Sequence, residues 1–323
     1  NEERDDMTYR LATCYLKTGN VKEAAIWFET LRSTSKKYVA DCTYYLSYIR
    51  YTQQRYDDAL TGFLSLQDNE KYKALVPYYI AEIYLIKKNY DKAEIVAQNY
   101  LSAYPNNEYT AEMYRVLGDA DYHFGKYHEA MGAFEKYLAN NKEEAPRRDA
   151  LYMLGLSYYH SGVYTKAANT LGEVATGNDA LSQNAYLHMG LSYLQMGDKN
   201  KARMAFEQAS ASNANVQIKE QAAYNYALCI HETSYSAFGE SVTVFEKFLN
   251  EFPNSQYVDK VSSYLVEVYM NTRSYEAALK SIERITHPGA AILEAKQKIL
   301  FHLGTQSFAN TQFQEAIGYF NQS

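Results

Sequence analysis

Three groups of residues in this chain have types that could carry out chemistry, and the first has the order of a phosphate-binding loop. Gly118, Gly125 and Lys126 follow one another as in a loop that wraps phosphates in backbone N–H groups. Six residues separate the two glycines, and Tyr127 stands where a Ser or Thr hydroxyl must bind Mg²⁺. A helix-packing role and a turn account for the glycines, so a nucleotide site is not predicted.

Pairs of histidine and cysteine residues form the second group. His123 and His128 flank a predicted helix turn, and Cys229 precedes His231 by two residues. A zinc site needs three or four ligands, and neither pair comes with a carboxylate or further ligands at a suitable spacing. Coincidental proximity is the simpler interpretation, so the sequence predicts no metal and no cofactor.

The third group consists of acidic and nucleophilic residues. Glu143 and Glu144 lie in a polar connector, where they are expected to be solvated. Cys14, Cys42 and Cys229 are too few and too scattered for a disulfide framework, and each is predicted to be a small buried hydrophobic residue. No Ser-His-Asp or Cys-His grouping can be inferred from spacing. The chain is therefore predicted not to be an enzyme.

Composition limits the remaining function classes. The chain has 323 residues, 47% of them hydrophobic, and a formal net charge of -6. The acidic balance disfavours binding to nucleic acid or anionic lipid, and the lack of a long apolar run excludes a membrane-spanning helix. Tyrosine is unusually frequent, with 34 residues, and suits half-buried helix faces and recognition surfaces.

Residues 111–138 show the elements that position these side chains. Apolar residues recur there at three- and four-residue steps in two segments, which predicts two amphipathic helices. Gly125 supplies the permissive backbone where the first helix ends. Gly118 and Ala130 place a small residue on the apolar face of each helix, which predicts that the helices approach closely.

The same pair of helices recurs along the whole chain. Landmark residues of the second helix are spaced by 34 to 39 residues and are Ala24, Ala59, Ala93, Ala130, Ala167, Ala202, Ser241, Ala278 and Ala316. The seventh unit departs from the pattern, because residues 231–241 lengthen its turn and Ser241 replaces the alanine. Nine units at a nearly constant period predict a repeat protein.

These units resemble the tetratricopeptide repeat (TPR). Leu117 and Gly118 match its L-G pair, Ala130 and Phe134 match its A-x₃-F, and Tyr114 replaces its Trp. The resemblance implies an all-α fold, a right-handed α-solenoid of about nine helix–turn–helix hairpins in one array over residues 1–323. The approximate repeats are 5–38, 40–73, 74–107, 111–144, 148–181, 183–216, 220–256, 259–292 and a truncated 297–323. The pentatricopeptide family has a similar period but binds RNA and should be basic, which this chain is not.

In TPR proteins the concave face is lined by first-helix residues that point away from the second helix of their own repeat. The matching positions here are Tyr9, Tyr44, Tyr48, Tyr51, Tyr78, Glu82, Arg115, Asp119, Tyr122, Tyr152, Tyr159 and Tyr224. The tyrosine rings among these residues are expected to bind a protein or extended peptide, to pack against the next repeat, or to do both. A Lys/Asn clamp for a partner's C-terminal carboxylate is not expected, because Tyr9, Thr13 and Tyr44 occupy its positions.

Two junctions between repeats bear on location. Residues 104–109 and 252–257 resemble the aromatic-P-N-S-x-Y junction of bacterial envelope TPR proteins. That resemblance implies the periplasm or cell envelope of a bacterium, with a cytoplasmic location as the alternative. In both junctions the proline is expected to end one helix, and an Asn or Ser to cap the next.

The function predicted from these features is a non-catalytic scaffold or adaptor that holds a protein or peptide along a tyrosine-lined groove. The alternative is an accessory TPR arm of a multidomain enzyme or signalling protein. Both ends of the chain look cut, since Asn1 runs straight into a helical pattern and the ninth unit stops within its second helix. Further sequence is therefore expected to flank this fragment, and self-association through uncapped terminal repeats is a third possibility.

Overall fold

The computed structural model describes residues 1–142, 145–234 and 237–323. Within these ranges the secondary structure consists of eighteen α-helices and one π-helical turn, with no strand, which confirms the predicted all-α fold. Glu143 and Glu144 lie outside the described residues. The α-helices are α1 Glu2–Lys17, α2 Val21–Thr34, α3 Val39–Thr52, α4 Tyr56–Ser65, α5 Val76–Ile86, α6 Tyr90–Ala103, α7 Thr110–His123, α8 Tyr127–Asn140, α9 Arg148–His160, α10 Tyr164–Val174, α11 Ala180–Gln195, α12 Lys199–Ala211, α13 Val216–Thr233, α14 Val242–Glu251, α15 Val258–Met270, α16 Tyr275–Glu283, α17 Ala290–Ala309 and α18 Phe313–Gln322.

The helices belong to two compact units, Asn1–Ser161 with α1 to α9 and Gly162–Ser323 with α10 to α18. In each unit, consecutive helices pair as hairpins, and each second helix also packs on the first helix of the following repeat. First helices of neighbouring repeats contact one another as well, α5 with α7 and α7 with α9 in unit 1, and α11 with α13 and α15 with α17 in unit 2. Neighbouring hairpins therefore share one apolar core inside each unit. The single array over residues 1–323 stays a prediction.

Close helix approach at small residues is confirmed, and its partner is an aromatic ring. A β-carbon built on Gly118 of α7 would lie 2.9 Å from the ring of Phe134 on α8. The arrangement recurs where Gly190 faces Phe206 and where Gly304 faces Phe320. The second helix can therefore approach as closely as its phenylalanine ring permits, because the facing helix has no side chain there.

The hairpin turns share one backbone conformation. Residues with positive φ stand two positions after the end of the first helix of a hairpin and are Gly19, Gln54, Lys88, Gly125, Gly162, Gly197 and Thr311. Gly125 has φ 74°, so its predicted role as the permissive turn residue is confirmed. Thr311 adopts φ 62° although it is β-branched, which places strain in the last turn.

The irregular seventh repeat contains a buried serine in place of the landmark alanine. Ser241 ends the π-helical turn Ala237–Ser241, directly before α14, and is fully buried. Its hydroxyl forms a 2.9 Å hydrogen bond with Nδ1 of His231. The histidine thus satisfies the polar group that replaced an alanine.

The predicted helix caps at the two junctions are wrong, whereas the helix ends are right. α6 ends at Ala103, before Pro105. The N-cap of α7 is Tyr109, which makes no side-chain cap bond, and Asn107 Oδ1 instead accepts from the Tyr109 N–H at 3.4 Å. Ser255 serves Tyr257 in the same way at 3.0 Å. These side chains shape the turn two residues before the helix, where they can reach the cap residue's own N–H.

Among the cysteines, Cys42 and Cys229 are buried as predicted, but Cys14 is exposed. The buried residue of α1 is Ala12, and a residue two positions further on lies about 200° round the helix. Cys14 therefore points away from the core. The described residues contain no group of three or more His, Cys, Asp or Glu side chains that could hold a metal ion. Across the same ranges, no helix combines the length and apolar character needed to span a membrane.

Candidate partner-binding face

Eleven of the twelve predicted site residues lie on the first helices of unit 1, and only Tyr224, on α13, lies in unit 2. We call the eleven the tyrosine face. They are Tyr9 on α1, Tyr44, Tyr48 and Tyr51 on α3, Tyr78 and Glu82 on α5, Arg115, Asp119 and Tyr122 on α7, and Tyr152 and Tyr159 on α9. Each tyrosine of the set is partly buried.

Part of the tyrosine face is used for packing between repeats. A first-helix tyrosine stacks on a tyrosine at or just before the start of the next first helix, with ring planes within 23° of parallel. The pairs in unit 1 are Tyr9 with Tyr38 at 4.7 Å, Tyr44 with Tyr72 at 4.7 Å and Tyr78 with Tyr109 at 4.9 Å. In unit 2, Tyr224 stacks on Tyr257 at 4.0 Å and is only 7% exposed. The sequence prediction missed the second ring of each pair, although these rings recur 28 to 33 residues after the first.

Hydrogen bonds fix two of these stacks. The Tyr38 hydroxyl donates to the carboxylate of Asp6, which lies one helical turn before Tyr9, and Lys37 Nζ lies 3.2 Å from the same carboxylate. The hydrogen bond to Asp6 raises the pKa of Tyr38. The second repeat has the same arrangement, formed by Asp41, Lys71 and Tyr72. The stacked rings and their hydrogen bonds therefore fix neighbouring repeats to each other.

Tyr48 and Tyr51 lie outside the stacked pairs. Their rings meet Tyr79 of α5 edge to face, with centroid distances of 6.0 Å and 5.4 Å. Tyr79 is itself stacked on Phe63 at 4.9 Å, so it is a fixed support. Burial raises the pKa of Tyr51, which shows that its hydroxyl is partly removed from water.

A buried ion set lies next to these rings. The Arg115 side chain is 2% exposed, its Nη2 donates to Glu82, and its Nε donates to Glu112 at 2.7 Å. Burial lowers the pKa of Arg115. The set joins α5 to α7, because Glu82 belongs to the neighbouring first helix. Glu82 and Arg115 therefore pair with each other inside the chain.

Asp119 and Tyr122 lie further along α7. Nδ1 of His123 lies 2.9 Å from the Asp119 carboxylate, which is 15% exposed. Burial raises the pKa of Asp119. Tyr122 meets the rings of His123 and Tyr127 edge to face at 5.2 Å and 5.9 Å.

On α9, the ring of Tyr159 lies edge to face with His160 at 5.1 Å, and His160 stacks on Tyr127 at 4.2 Å. A similar stack joins Tyr90 of α6 to His123 at 4.2 Å. His123, one of the histidines considered for metal binding from the sequence, thus packs against a tyrosine ring and lies next to the Asp119 carboxylate.

Comparison with known proteins finds similarity to proteins that contain tetratricopeptide repeats. The family model described as "Anaphase-promoting complex, cyclosome, subunit 3" matches residues 125–209. The TPR repeat-containing protein MJ1428 of Methanocaldococcus jannaschii is 25% identical over 298 residues, covering 84% of this chain. This chain spans about half, 49%, of that relative's length.

Two solved structures share the fold. One is the C-terminal part of a TPR repeat-containing protein from Cytophaga hutchinsonii, with a TM-score of 0.52 and 15% identity over 77% of this chain and 97% of that one. The other is YrrB, titled a TPR protein with an unusual peptide-binding site, with a TM-score of 0.52 and 17% identity over 62% of this chain and 97% of that one.

The hairpins, the glycine–phenylalanine contacts and the shared cores define a helical-repeat protein of the α-solenoid class. The chain is thus similar to tetratricopeptide-repeat proteins in sequence and in fold, which supports the resemblance seen in the sequence. Helical-repeat folds of this kind present surfaces that many such proteins use for binding.

Proposed function

We propose that this protein is a non-catalytic scaffold that binds an extended segment of a protein partner along the tyrosine face. The observation that carries the proposal is that the tyrosines of unit 1 fall into two groups with different packing. Tyr9, Tyr44 and Tyr78 are used in stacks between repeats, whereas Tyr48 and Tyr51 lie outside those stacks and are supported by Tyr79. The second group is therefore the candidate contact surface.

The packing of these side chains favours binding. A tyrosine that is already held in place loses little conformational freedom when a partner binds, and its ring offers both apolar area and a hydroxyl. Tyr51 and Tyr78 also lie close enough to Arg115 for its charge to act on their hydroxyls. The face thus combines tyrosine rings with an arginine, and both residue types are enriched at protein interfaces.

The similarity to YrrB is consistent with a peptide ligand, since its title describes a peptide-binding site. At 17% identity the similarity concerns the fold, and peptide binding by the present chain belongs to the proposal.

The test uses a phage-displayed library of random dodecapeptides selected on the whole chain. Selected peptides are then synthesised with a fluorescein label, and their dissociation constants are measured by fluorescence anisotropy. Tyr48→Ala combined with Tyr51→Ala should weaken binding by about tenfold or more, because aromatic anchors carry much of the binding energy at such surfaces.

The control variant combines Tyr186→Ala with Tyr193→Ala on α11, in unit 2. This control also removes two tyrosine rings, but from a helix outside the tyrosine face. It should bind the peptides with the affinity of the unaltered chain. Thermal unfolding followed by circular dichroism verifies that both variants are folded. Equal affinities for both double variants would overturn the assignment of the binding face.

We further propose a location in the bacterial cell envelope, supported by the two junctions at residues 104–109 and 252–257. Fractionation of cells that carry the tagged full-length protein at its native locus tests this location. Recovery of the protein in the cytoplasmic fraction, when a periplasmic marker protein is recovered in the periplasmic fraction, would contradict this location.

A further inference from the structure

We infer that the partner of the tyrosine face carries a lysine or arginine side chain, which binds at the Asp119 carboxylate beside the ring of Tyr122. This inference rests on the proposed function and specifies the chemical class of the partner. It follows from the ion pairs around α7, in which Arg115 and Arg147 bond to carboxylates whereas Asp119 pairs with a histidine.

The two arginines near this place are both held by carboxylates of the chain. Arg115 donates to Glu82 and Glu112, as described above. Arg147, just before α9, donates to Asp149 through Nε at 3.1 Å and Nη2 at 2.8 Å. Both guanidinium groups are therefore already bonded to carboxylates of the chain. Their positive charge is partly balanced there, so it repels a basic side chain of the ligand less strongly.

Asp119 differs from these carboxylates. Among the ion pairs within the described ranges, it pairs with His123 and with no lysine or arginine. The same His123 nitrogen lies 2.8 Å from the backbone carbonyl of Asp119, and the imidazole ring stacks on Tyr90. The histidine is thus held by its own helix and by packing, and the carboxylate lacks a permanent cation.

The surroundings of Asp119 strengthen its attraction for a cation. Only 15% of the side chain is exposed, and burial raises its pKa, with Asp149 adding a smaller increase against the opposing effects of His123 and Arg115. A carboxylate that is partly removed from water gains more from an arriving cation than an exposed one does, since the effective dielectric constant is lower there. Charge complementarity therefore favours a basic side chain at this point.

Tyrosine rings beside Asp119 suit the rest of such a side chain. The ring of Tyr122 lies 5.2 Å from the ring of His123, whose Nδ1 is 2.9 Å from the Asp119 carboxylate, and 5.9 Å from the ring of Tyr127. Burial raises the pKa of Tyr122. The methylene stem of lysine or arginine packs well on an aromatic ring, and its charge is attracted to the ring face. One carboxylate with neighbouring tyrosines is a suitable receptor for one basic side chain.

The experiment uses four pools of fluorescein-labelled dodecapeptides whose sixth residue is Lys, Arg, Gln or Glu. The other positions are drawn from Ala, Ser, Leu and Tyr, so that the pools differ only in the charge at one position. We expect the Lys and Arg pools to bind the whole chain about tenfold more tightly than the Gln pool, and the Glu pool to bind most weakly. Raising the salt concentration should reduce the preference.

Asp119→Asn should bring the affinity for the Lys and Arg pools to within about twofold of the affinity of the same variant for the Gln pool. Asp68→Asn is the matched control, because it removes one negative charge from an exposed turn between α4 and α5 and should preserve the preference. Circular dichroism checks the fold of both variants.

A Gln pool that binds as tightly as the Lys pool, or a preference that survives Asp119→Asn, would overturn this inference while leaving the proposed function intact. If no pool binds, or if binding is the same in the Tyr48→Ala and Tyr51→Ala double variant, the proposed function fails as well.

Discussion

Gly118 of α7 lies directly against the ring of Phe134 on α8, and an added β-carbon would come within 2.9 Å of that ring. The ring is 1% exposed and has neighbours on all sides, so it cannot move away freely. This contact sets how closely the two helices of the fourth hairpin pack.

Gly118→Ala should therefore destabilise unit 1 by about 1–3 kcal/mol, since overpacking outweighs the gain in helix propensity. Urea denaturation followed by circular dichroism measures the change. Gly132→Ala, on α8 of the same hairpin, is the control, because its β-carbon would meet nothing within 4 Å. That variant should be more stable by about 0.5–1 kcal/mol, and a similar gain at Gly118 would disprove the packing role.

Thr311 lies in the last hairpin turn with φ 62°, a conformation in which a β-branched side chain is strained. Thr311→Gly should raise the free energy of unfolding by about 1 kcal/mol, because the relief of strain exceeds the added entropy of the unfolded chain. Gly125→Ala, at φ 74° in the fourth hairpin, should lower it by about the same amount. Thermal unfolding of both variants checks the prediction, and changes of the same sign would contradict it.

Asp121 on α7 should make stability depend on pH. Burial, together with a hydrogen bond to Glu94, raises the pKa of Asp121 from 3.8 to about 7. Between these values the folded chain holds a proton that the unfolded chain has released, so the free energy of unfolding should fall as the pH rises from about 4 to about 7. The pKa of Glu94 is lowered, and its opposite effect is confined to the range below its ordinary value of 4.5.

Asp121→Asn should remove this dependence, because an amide can keep the hydrogen bond and never ionises. The variant should exceed the unaltered chain in stability by about 1–2 kcal/mol at pH 8 and by little at pH 5. Urea denaturation at both pH values measures the difference. Asp68→Asn should change the free energy of unfolding by the same amount at pH 5 and at pH 8. An equal change at both pH values for Asp121→Asn would show that burial does not affect the titration of Asp121.

Arg115→Ala should destabilise unit 1 by about 3 kcal/mol, because it leaves the Glu82 carboxylate without its guanidinium partner at a site where its side chain is only 12% exposed. Adding Glu82→Gln to that variant should restore part of the loss, since the unpaired charge is then removed. Chemical denaturation of the two single variants and the double variant forms a complete cycle. Additive effects would show that the two side chains do not depend on each other.

Much of the fold could be predicted because its signals are local. Helix positions follow from apolar residues at three- and four-residue steps, and the hairpin follows from Gly118, Gly125 and Ala130 at fixed places. These relations involve neighbours within about one repeat. The hydrogen bond between His231 and Ser241, at the end of the π-helical turn before α14, could not be derived in this way, because it joins side chains on either side of an irregular segment.

The composition of the candidate face was also within reach of the sequence, since first-helix positions recur with the repeat. What each residue does there was decided by the tertiary structure. Tyr9 stacks on Tyr38 because the next hairpin places that ring 4.7 Å away, whereas Tyr48 meets the ring of Tyr79 edge to face. Spacing along the chain cannot distinguish these cases, because both tyrosines lie on first helices.

The sequence by itself determined that this protein is a series of paired helices with tyrosines along the first of each pair, because amphipathic periodicity and small residues act over short distances. Only the tertiary structure decided that Arg115 is buried and paired with carboxylates, whereas Asp119 pairs with His123 among the residues that the structure describes. The physical reason is that charge pairing depends on side chains from helices some thirty residues apart, whose separation is set by packing between repeats.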